Sequence, residues 1–457
     1  STGAGELILP PGEFYAVASR GNEYQIDLSE PFTVDEHSVV DLDLHVLRSV
    51  DTSGWISADF HVHAEKSQDS GVSLYGRITT MVSEGVEYLS SSDHDYITDY
   101  SPVIAEMGMG DWINSTVGLE VTTIELGHFL GFPLMVDHLA DAGGALDWTN
   151  LEAQEIIDGI RDLGIPEVVD PVVFVAHPRD GILGYFDQFG MNPYMDDNGD
   201  ALIAPGTLSL FNPLISAEQY SDDFDAMEVL NGKRFELIRT PTQTEMSGYE
   251  SDENSVSVAE MISRTAEEQE ALISGDESLG YGMRGTVDDW FTLLNLGYRI
   301  TALGNSDTHG KTTTESGCPR NYIQAETDDP AFFDEVSLAE AVREGRVITT
   351  YGPFIRFYAN DIENGPGATV TGSEQVRLFI EVQSPSWFDV SQVELYENGT
   401  LVDSWDIQTP NDSVINFEIA TDRTITDDAW YVVVALGTDD DLSPVFTPVE
   451  IAPIQLQ

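Results

Sequence analysis

Cysteine occurs once, at Cys318, so no intrachain disulfide can form and the fold must rest on its core and on bound ligands. Lysine is nearly absent too: Lys66, Lys233 and Lys311 are the only three in 457 residues. Lys and Arg together number 19 against 81 Asp and Glu, a formal net charge of −62. A surface of that sign repels phosphate backbones, so no nucleic acid is expected as a partner. The self-repulsion is tolerable where salt screens charges over short distances, which points to a saline setting. No apolar run of about 18 residues occurs, so no membrane span is expected. The opening Ser-Thr-Gly-Ala-Gly has neither a basic n-region nor an apolar h-region. It reads as the mature end of an exported chain, extracellular or periplasmic, with the cytoplasm of a halophile as the alternative. A GxSxG elbow, a phosphate-binding P-loop and a Gly-rich dinucleotide fingerprint are also missing, and Cys318 has no partner motif that would make it a nucleophile.

What is present is a chain with 41% hydrophobic residues, enough for a large core and about two to four domains. Residues 1–54 alternate short apolar runs (7–9, 14–17, 39–47) with turn punctuation, which is strand-like. From 55 to about 352 the texture becomes β-type runs at 86–90, 116–121, 172–176, 226–230 and 300–303, interleaved with helical spacing at 151–163, 256–273, 286–296 and 337–344. That is the pattern of βα units around a parallel sheet. Residues 191–212 and 240–255 read as loops. Beyond Tyr351-Gly352-Pro353 only strands follow, at 355–358, 376–382, 393–396, 414–419 and 430–436, which predicts a C-terminal β-sandwich over 353–457.

Six of the nine histidines, His61, His63, His94, His128, His177 and His309, fall at or just after ends of the expected strands. In His61-Val62-His63 the period of two puts both imidazoles on one side of a strand, with Val62 behind. Asp93-His94-Asp95, Glu120 within Gly-Leu-Glu-Val, His177-Pro178-Arg179 and Asp307-Thr308-His309 occupy corresponding places. In α/β barrels the carboxyl ends of parallel strands converge, so residues distant in sequence meet there. Imidazoles and carboxylates gathered in that way are ligands for zinc, manganese or iron. Without a metal they would leave buried charges and lone pairs unsatisfied.

The order HxH, Asp-His, Glu, His, His-Pro, Ser-Asp-x-His, running from Asp59 to His309, resembles the PHP (polymerase and histidinol phosphatase) family of metal-dependent phosphoesterases. With the Gly352-Pro353-Phe354 segment and the β-rich tail, it is most similar to the carbaryl hydrolase-like branch. The resemblance implies a distorted (β/α)7 barrel over 55–352, flanked by the N-terminal and C-terminal β domains and binding two or three divalent metal ions. It further implies that His61, His63, Glu120 and Asp307 hold one metal. Glu120 would bridge to a second metal, completed by His128 and His177. Asp69, His94 and His309 would hold a third, with Asp93 and Asp95 orienting His94. A metal-activated water would cleave a small-molecule ester, a phosphate mono- or diester first, with a carboxylic or carbamic ester as the alternative. A non-catalytic surface module with structural metals is the reading from another class.

Arg179, next to His177-Pro178, is the expected partner of an anionic substrate oxygen, with Lys66, Arg77 and Arg320 behind it. His37, His45 and His138 lie outside the motif order. Met107 and Met109 read as packing, since thioethers suit copper(I) and no thiolate accompanies them. The acidic run 196–200 alternates oxygen side chains but lacks the glycine and glutamate of an EF-hand.

Overall fold

The computed structural model describes residues 4–166, 168–191, 216–232, 238, 285–311, 316–372, 374–407 and 413–437. The helix expected at 256–273, the loop at 240–255, nearly all of the loop at 191–212 with its acidic run, and Lys233 lie outside the described residues.

The N-terminal part holds two small antiparallel pairs: β1 (Gly12–Phe14) with β4 (Phe32–Val34), and β2 (Val17–Ala18) with β3 (Asp27–Leu28). The strands expected at 7–9 and 39–47 are not formed. Leu7, Ile8, Val39 and Leu47 are exposed, so nothing in this region buries the apolar face that would select a register.

Two five-stranded sheets follow. One has the order β14-β13-β5-β6-β7, from β5 (Trp55–Val62), β6 (Tyr88–Ser91), β7 (Asn114–Thr116), β13 (Arg320–Gln324) and β14 (Val347–Thr350). The other has the order β12-β11-β10-β9-β8, from β8 (Leu119–Thr122), β9 (His128–Phe132), β10 (Val172–Val175), β11 (Ala226–Asn231) and β12 (Thr301–Asn305). Two isolated parallel bridges, Val62 to Thr308 and His94 to Glu120, join them. Followed through those bridges, pairing passes from β5 to β6, β8, β9, β10, β11 and β12. All of these pairs are parallel except those of β9, which is antiparallel to both neighbours. One apolar cluster takes Ile56, Ala58 and Phe60 from β5 together with Leu130, Phe132, Val172, Phe174, Ala226 and Leu303 from the second sheet.

The single strand expected at 116–121 is two strands. Here the chain leaves one sheet (β7 on β6) and enters the other (β8 on β9). The break falls at Gly118, where a Cβ would stand 2.3 Å from Ser90 Oγ and 2.5 Å from the Ser91 carbonyl. Only glycine lets the crossing chain approach β6 so closely.

Helices α1 (Leu74–Ser83), α2 (Ser101–Met107), α3 (Ala153–Asp162), α4 (Tyr185–Phe189), α5 (Thr286–Asn295) and α6 (Glu335–Arg343) surround the sheets. In α3 the i, i+3, i+4 spacing buries Ala153, Ile156, Ile157 and Ile160. Each isoleucine contributes roughly 1.5–3 kcal/mol by leaving water. Met107 and Met109 pack against the apolar cluster of α1 and α2.

The C-terminal part is β-rich, as the strand pattern predicted. β15 (Phe354–Ala359), β16 (Gln375–Gln383) and β19 (Ile415–Thr424) form one antiparallel sheet. β17 (Val390–Glu397), β18 (Thr400–Asp406) and β20 (Tyr431–Gly437) form another, and both sheets feed one apolar cluster. Asn398 (φ 51°) and Gly399 (φ 81°) make the hairpin turn into β18, the left-handed pair that an Asn-Gly step favours.

Candidate metal centre

β5 is the seat of the centre. Ile56, Ala58, Phe60 and Val62 enter apolar clusters, so by alternation Ser57, Asp59, His61 and His63 face the other way. Asp59 accepts from Ser306 Oγ at 2.5 Å and from the Gly317 N–H at 3.2 Å, which ties β5 to the chain after β12. Its burial pushes its pKa up to about 6 against those hydrogen bonds.

The expected residues converge. His63 and His309 stack at 3.9 Å, His63 and His94 lie 4.4 Å apart, His61 and His63 5.0 Å, His128 and His177 4.9 Å, and His61 and His177 5.7 Å. Glu120, fully buried on β8, stands among them. Its Oε1 is 2.9 Å from His128 Nδ1, 3.3 Å from His61 Nε2 and 3.6 Å from His177 Nε2. Its Oε2 is 3.5 Å from His63 Nε2. Asp307 Oδ1 lies 3.4 Å from His61 Nε2 and 3.3 Å from His63 Nε2. His128 opens β9 rather than following it; because β9 runs antiparallel, its first residue reaches the end where its neighbours finish. Asp69 approaches His309 Nε2 at 3.1 Å and His94 Nε2 at 3.4 Å.

Ligand atoms fall into three groups, each within 4.8 Å: His61, His63 and Asp307; His61, Glu120 and His177; His63, His94 and His309. This partly redistributes the expected sets. His61 belongs to two groups, His63 links the first and third, and His128 stands on Glu120 rather than inside a group. Within the cluster, five of the buried atoms that lack a hydrogen-bond partner among the described residues are found: Nε2 of His61, His63 and His128, Nδ1 of His177 and Oε2 of Glu120. An unsatisfied buried polar atom costs about 1–3 kcal/mol, so five together rival the whole net stability of a domain. Shared divalent cations satisfy such atoms, and the nitrogen and oxygen donors suit zinc, manganese or iron.

The nitrogens available are selected by a second layer. Glu228 on β11, which the sequence reading passed over, accepts His61 Nδ1–H at 2.8 Å and Asn305 Nδ2 at 2.9 Å on one oxygen. On the other oxygen it takes the His177 N–H at 2.7 Å and Asn231 Nδ2 at 2.9 Å. Ser67 Oγ donates to Asp93 at 3.0 Å and so accepts from His63 Nδ1 at 2.9 Å. His309 Nδ1 donates to the Asp307 carbonyl at 2.9 Å. In each case a hydrogen bond at Nδ1 leaves Nε2 as the inward lone pair. The signal for Glu228 was a carboxylate inside the apolar strand Ala-Met-Glu-Val-Leu, the same kind of signal that marked Glu120.

Asp93 and Asp95 do not hold the His94 ring. Asp93 takes the Ala64 and Ser67 N–H groups and Thr98 Oγ1, which fixes the turn after His63. Asp95 accepts from the Thr122 N–H and Trp148 Nε1. His94 Nδ1 lies 2.7 Å from both Thr122 Oγ1 and Glu120 Oε2, in hydrogen-bond geometry toward the threonine. Asp95 (φ 50°), His177 (φ 24°) and Asp307 (φ 50°) occupy the left-handed region, at a cost of about 1–3 kcal/mol each that the surrounding bonds must hold.

Arg179, the expected partner of an anionic substrate oxygen, is held by other contacts. Its guanidinium is buried and gives Nε and one terminal nitrogen to Asp289 (2.6 and 2.5 Å) and the other terminal nitrogen to Asp187 (3.0 Å), with a further bond to the Met191 carbonyl. It anchors the loop after His177. Arg77 likewise spends its donors on the His63, Thr308 and Gly310 carbonyls, Thr308 Oγ1 and Ser316 Oγ, and Arg320 on the Gly317 and Glu84 carbonyls and Ser57 Oγ. Lys66 is exposed, with Nζ 5.0 Å over the Tyr96 ring. His37, His45 and His138 are exposed, outside the cluster.

Charge within the cluster is shared unequally. Burial disfavours the Glu120 carboxylate, but His94, His61 and His128 outweigh it and hold its pKa well below the usual range. Burial also works against the His61 imidazolium, yet Asp307, Glu228 and Glu120 hold it well above an ordinary histidine. Burial wins at His63, beside His61 and His309, and keeps its pKa well below. His94 sits at about 9, where Glu120 and Asp69 overcome burial.

No family model matches this chain, and no curated protein does. Seven chains of solved structures match. One is the novel lesion-specific endonuclease PfuEndoQ from Pyrococcus furiosus, 13% identical over 65% of this chain and 57% of that one, with a TM-score of 0.34. The match thus spans a little over half of that protein's length, a likeness too slight to carry an argument about substrate or chemistry. No helix among the described residues is long and apolar enough to cross a membrane.

Proposed function

We propose that this protein is a metal-dependent hydrolase of PHP type that cleaves small-molecule esters, phosphate mono- or diesters first, with two or three divalent cations. The observation that carries the reading is the convergence of six imidazoles on the buried Glu120 and Asp307, where Nε2 of His61 and of His63, each turned inward by the group behind its Nδ1, has no hydrogen-bond partner. In this reading His61, His63 and Asp307 hold one cation, His61, Glu120 and His177 with His128 a second, and His63, His94 and His309 with Asp69 a third. The cations, when bound, supply Lewis acidity toward an ester oxygen and acidify water. In the same reading the chain folds as a distorted (β/α)7 barrel over 55–352, between β domains at 1–54 and 353–457, and the linkage of seven strands through the two isolated bridges supports it.

The chain's own residues do the rest. Glu228, Ser67 and the Asp307 carbonyl fix which imidazole nitrogens face inward. The imidazoles of His94, His61 and His128 favour the charged Glu120 carboxylate against its burial. The His61 and His63 side chains are wholly buried, whereas those of His94 and Asp69 are 15% and 56% exposed, so substrate enters on the Asp69 side. The net charge disfavours nucleic acid.

The test combines metal analysis of the purified protein with a panel of aryl phosphate mono- and diesters and aryl carboxylic and carbamic esters. Phosphate ester cleavage that disappears in Glu120→Ala, with the fold kept, is the expected result. Cleavage confined to carboxylic or carbamic esters would retain the centre and overturn the electrophile. No turnover in metal-loaded protein, with unfolding in Glu120→Ala, would make the metals structural.

A further inference from the structure

The three lysines of this chain are not scattered. Lys66 follows His63 by three residues, Lys233 follows Asn231 of β11 by two, and Lys311 follows His309 by two. Each comes directly after a segment that builds the centre. Among the described residues neither Lys66 nor Lys311 has a carboxylate within 4.0 Å, in a chain with 81 acidic residues. Lys311 lies over Gly76 in the first turn of α1, where a Cβ would stand 2.7 Å from its Cε and 3.1 Å from its Nζ. Lys66 rests on the face of Tyr96, two residues beyond His94. The turn it belongs to continues into Ser67, whose Oγ accepts the His94 N–H at 3.1 Å, and into Asp69 between His94 and His309. The two ammonium groups therefore belong to the loops at the exposed side of the centre, while Arg77, Arg179 and Arg320 are consumed inside.

A net charge of −62 repels an anion approaching this mouth and leaves a neutral molecule unaffected. Unpaired cations there serve a substrate that is itself anionic. Lys66 is at the rim rather than among the imidazoles, so it is met by the part of the substrate beyond the bond to be cleaved, with the Tyr96 ring as a platform beside it. We propose that Lys66, with Lys311 beside the same mouth, is a specificity-determining residue that receives an anionic substituent carried outside the scissile ester. The proposal rests on the hydrolase reading for its site but not for its test.

The measurement compares phenyl phosphate with 4-carboxyphenyl phosphate, and phenyl acetate with 4-carboxyphenyl acetate, in wild type, Lys66→Gln and Lys66→Arg. The ratio of kcat/KM, carboxylated over plain, is expected to fall roughly two- to fivefold in Lys66→Gln, mostly through KM, to recover in Lys66→Arg, and to shrink with added salt. Leaving-group effects cancel because each ratio is compared between proteins. Calorimetry of 4-hydroxybenzoate and phenol binding to metal-loaded protein supplies the second readout. The same loss of preference in Lys66→Gln supports the proposal even if no ester is cleaved, an outcome that would sink the hydrolase reading alone. An unchanged ratio with esters turned over, or no preference for 4-hydroxybenzoate in wild type, overturns the proposal and leaves the hydrolase reading standing.

Discussion

Glu228→Gln is the sharpest perturbation of the centre, because it changes no ligand and almost no volume. Each Glu228 oxygen accepts two hydrogen bonds: His61 Nδ1 and Asn305 Nδ2 on one, the His177 N–H and Asn231 Nδ2 on the other. A glutamine amide must turn its NH2 toward one of these pairs. If it faces His61, the ring is driven to the tautomer with hydrogen on Nε2, the atom 3.3 Å from Glu120 and 3.4 Å from Asp307, and His61 ceases to be a ligand for either of its groups. If it faces His177, donors meet donors and a buried N–H is left unsatisfied at about 1–3 kcal/mol. Loss of a partner of this kind lowers metal affinity roughly 10- to 100-fold, or about 1.4–2.7 kcal/mol. Chelator competition with zinc at fixed pH and salt, on protein shown by circular dichroism to be folded, measures it. Zinc held by Glu228→Gln within twofold of wild type would refute the claim that Glu228 selects the His61 nitrogen.

Three further outcomes follow from the packing. Arg179→Met strands Asp289, which burial already raises to about 6 with the arginine present, so the variant should lose roughly 3–5 kcal/mol near pH 8 and less near pH 5, where Asp289 is neutral. Adding Asp289→Asn should restore part of the loss in thermal denaturation, and no restoration would mean that the pair is not what holds the loop. Glu87 has its pKa raised to about 7 by burial and by Glu23, so the folded state holds its proton where the unfolded chain has released it; the contribution is full below about 4.5 and is lost as pH rises through 7. Glu87→Gln, which can still accept the Ser57 N–H, should therefore narrow the difference in unfolding free energy between pH 5 and pH 8, read from urea denaturation, by on the order of 2 kcal/mol, and an equal difference in both proteins contradicts this. Gly118→Ala drives a methyl into Ser90 and the Ser91 carbonyl at the crossing between sheets, and urea unfolding should show a loss of roughly 1–3 kcal/mol; a neutral effect would mean that the crossing has slack.

How far the centre was legible depended on the length of chain over which each property is decided. Which rings belong to it is local: the two-residue spacing of His61 and His63, or of Asp307 and His309, at a strand end determines where they are presented, and the structure brings all six histidines together. What a neighbouring side chain does is not local. Arg179 follows a histidine of the cluster and looked available, but its donors are taken by Asp187, eight residues on, and by Asp289, 110 residues on, and only the folded chain brings those carboxylates to it. Glu228 was missed for the converse reason, since a single acid within an apolar strand acquires meaning only when His61, 167 residues earlier, is seen to donate to it. The strand at 116–121 failed likewise, because continuity of apolar residues cannot report that two sheets change hands at Gly118. A ring is placed by its own strand, whereas the nitrogen it offers is chosen by a carboxylate, hydroxyl or carbonyl from elsewhere in the fold. Affinity for a cation depends on that nitrogen, so substitutions at Glu228 and Ser67 should change metal loading although neither residue touches the metal.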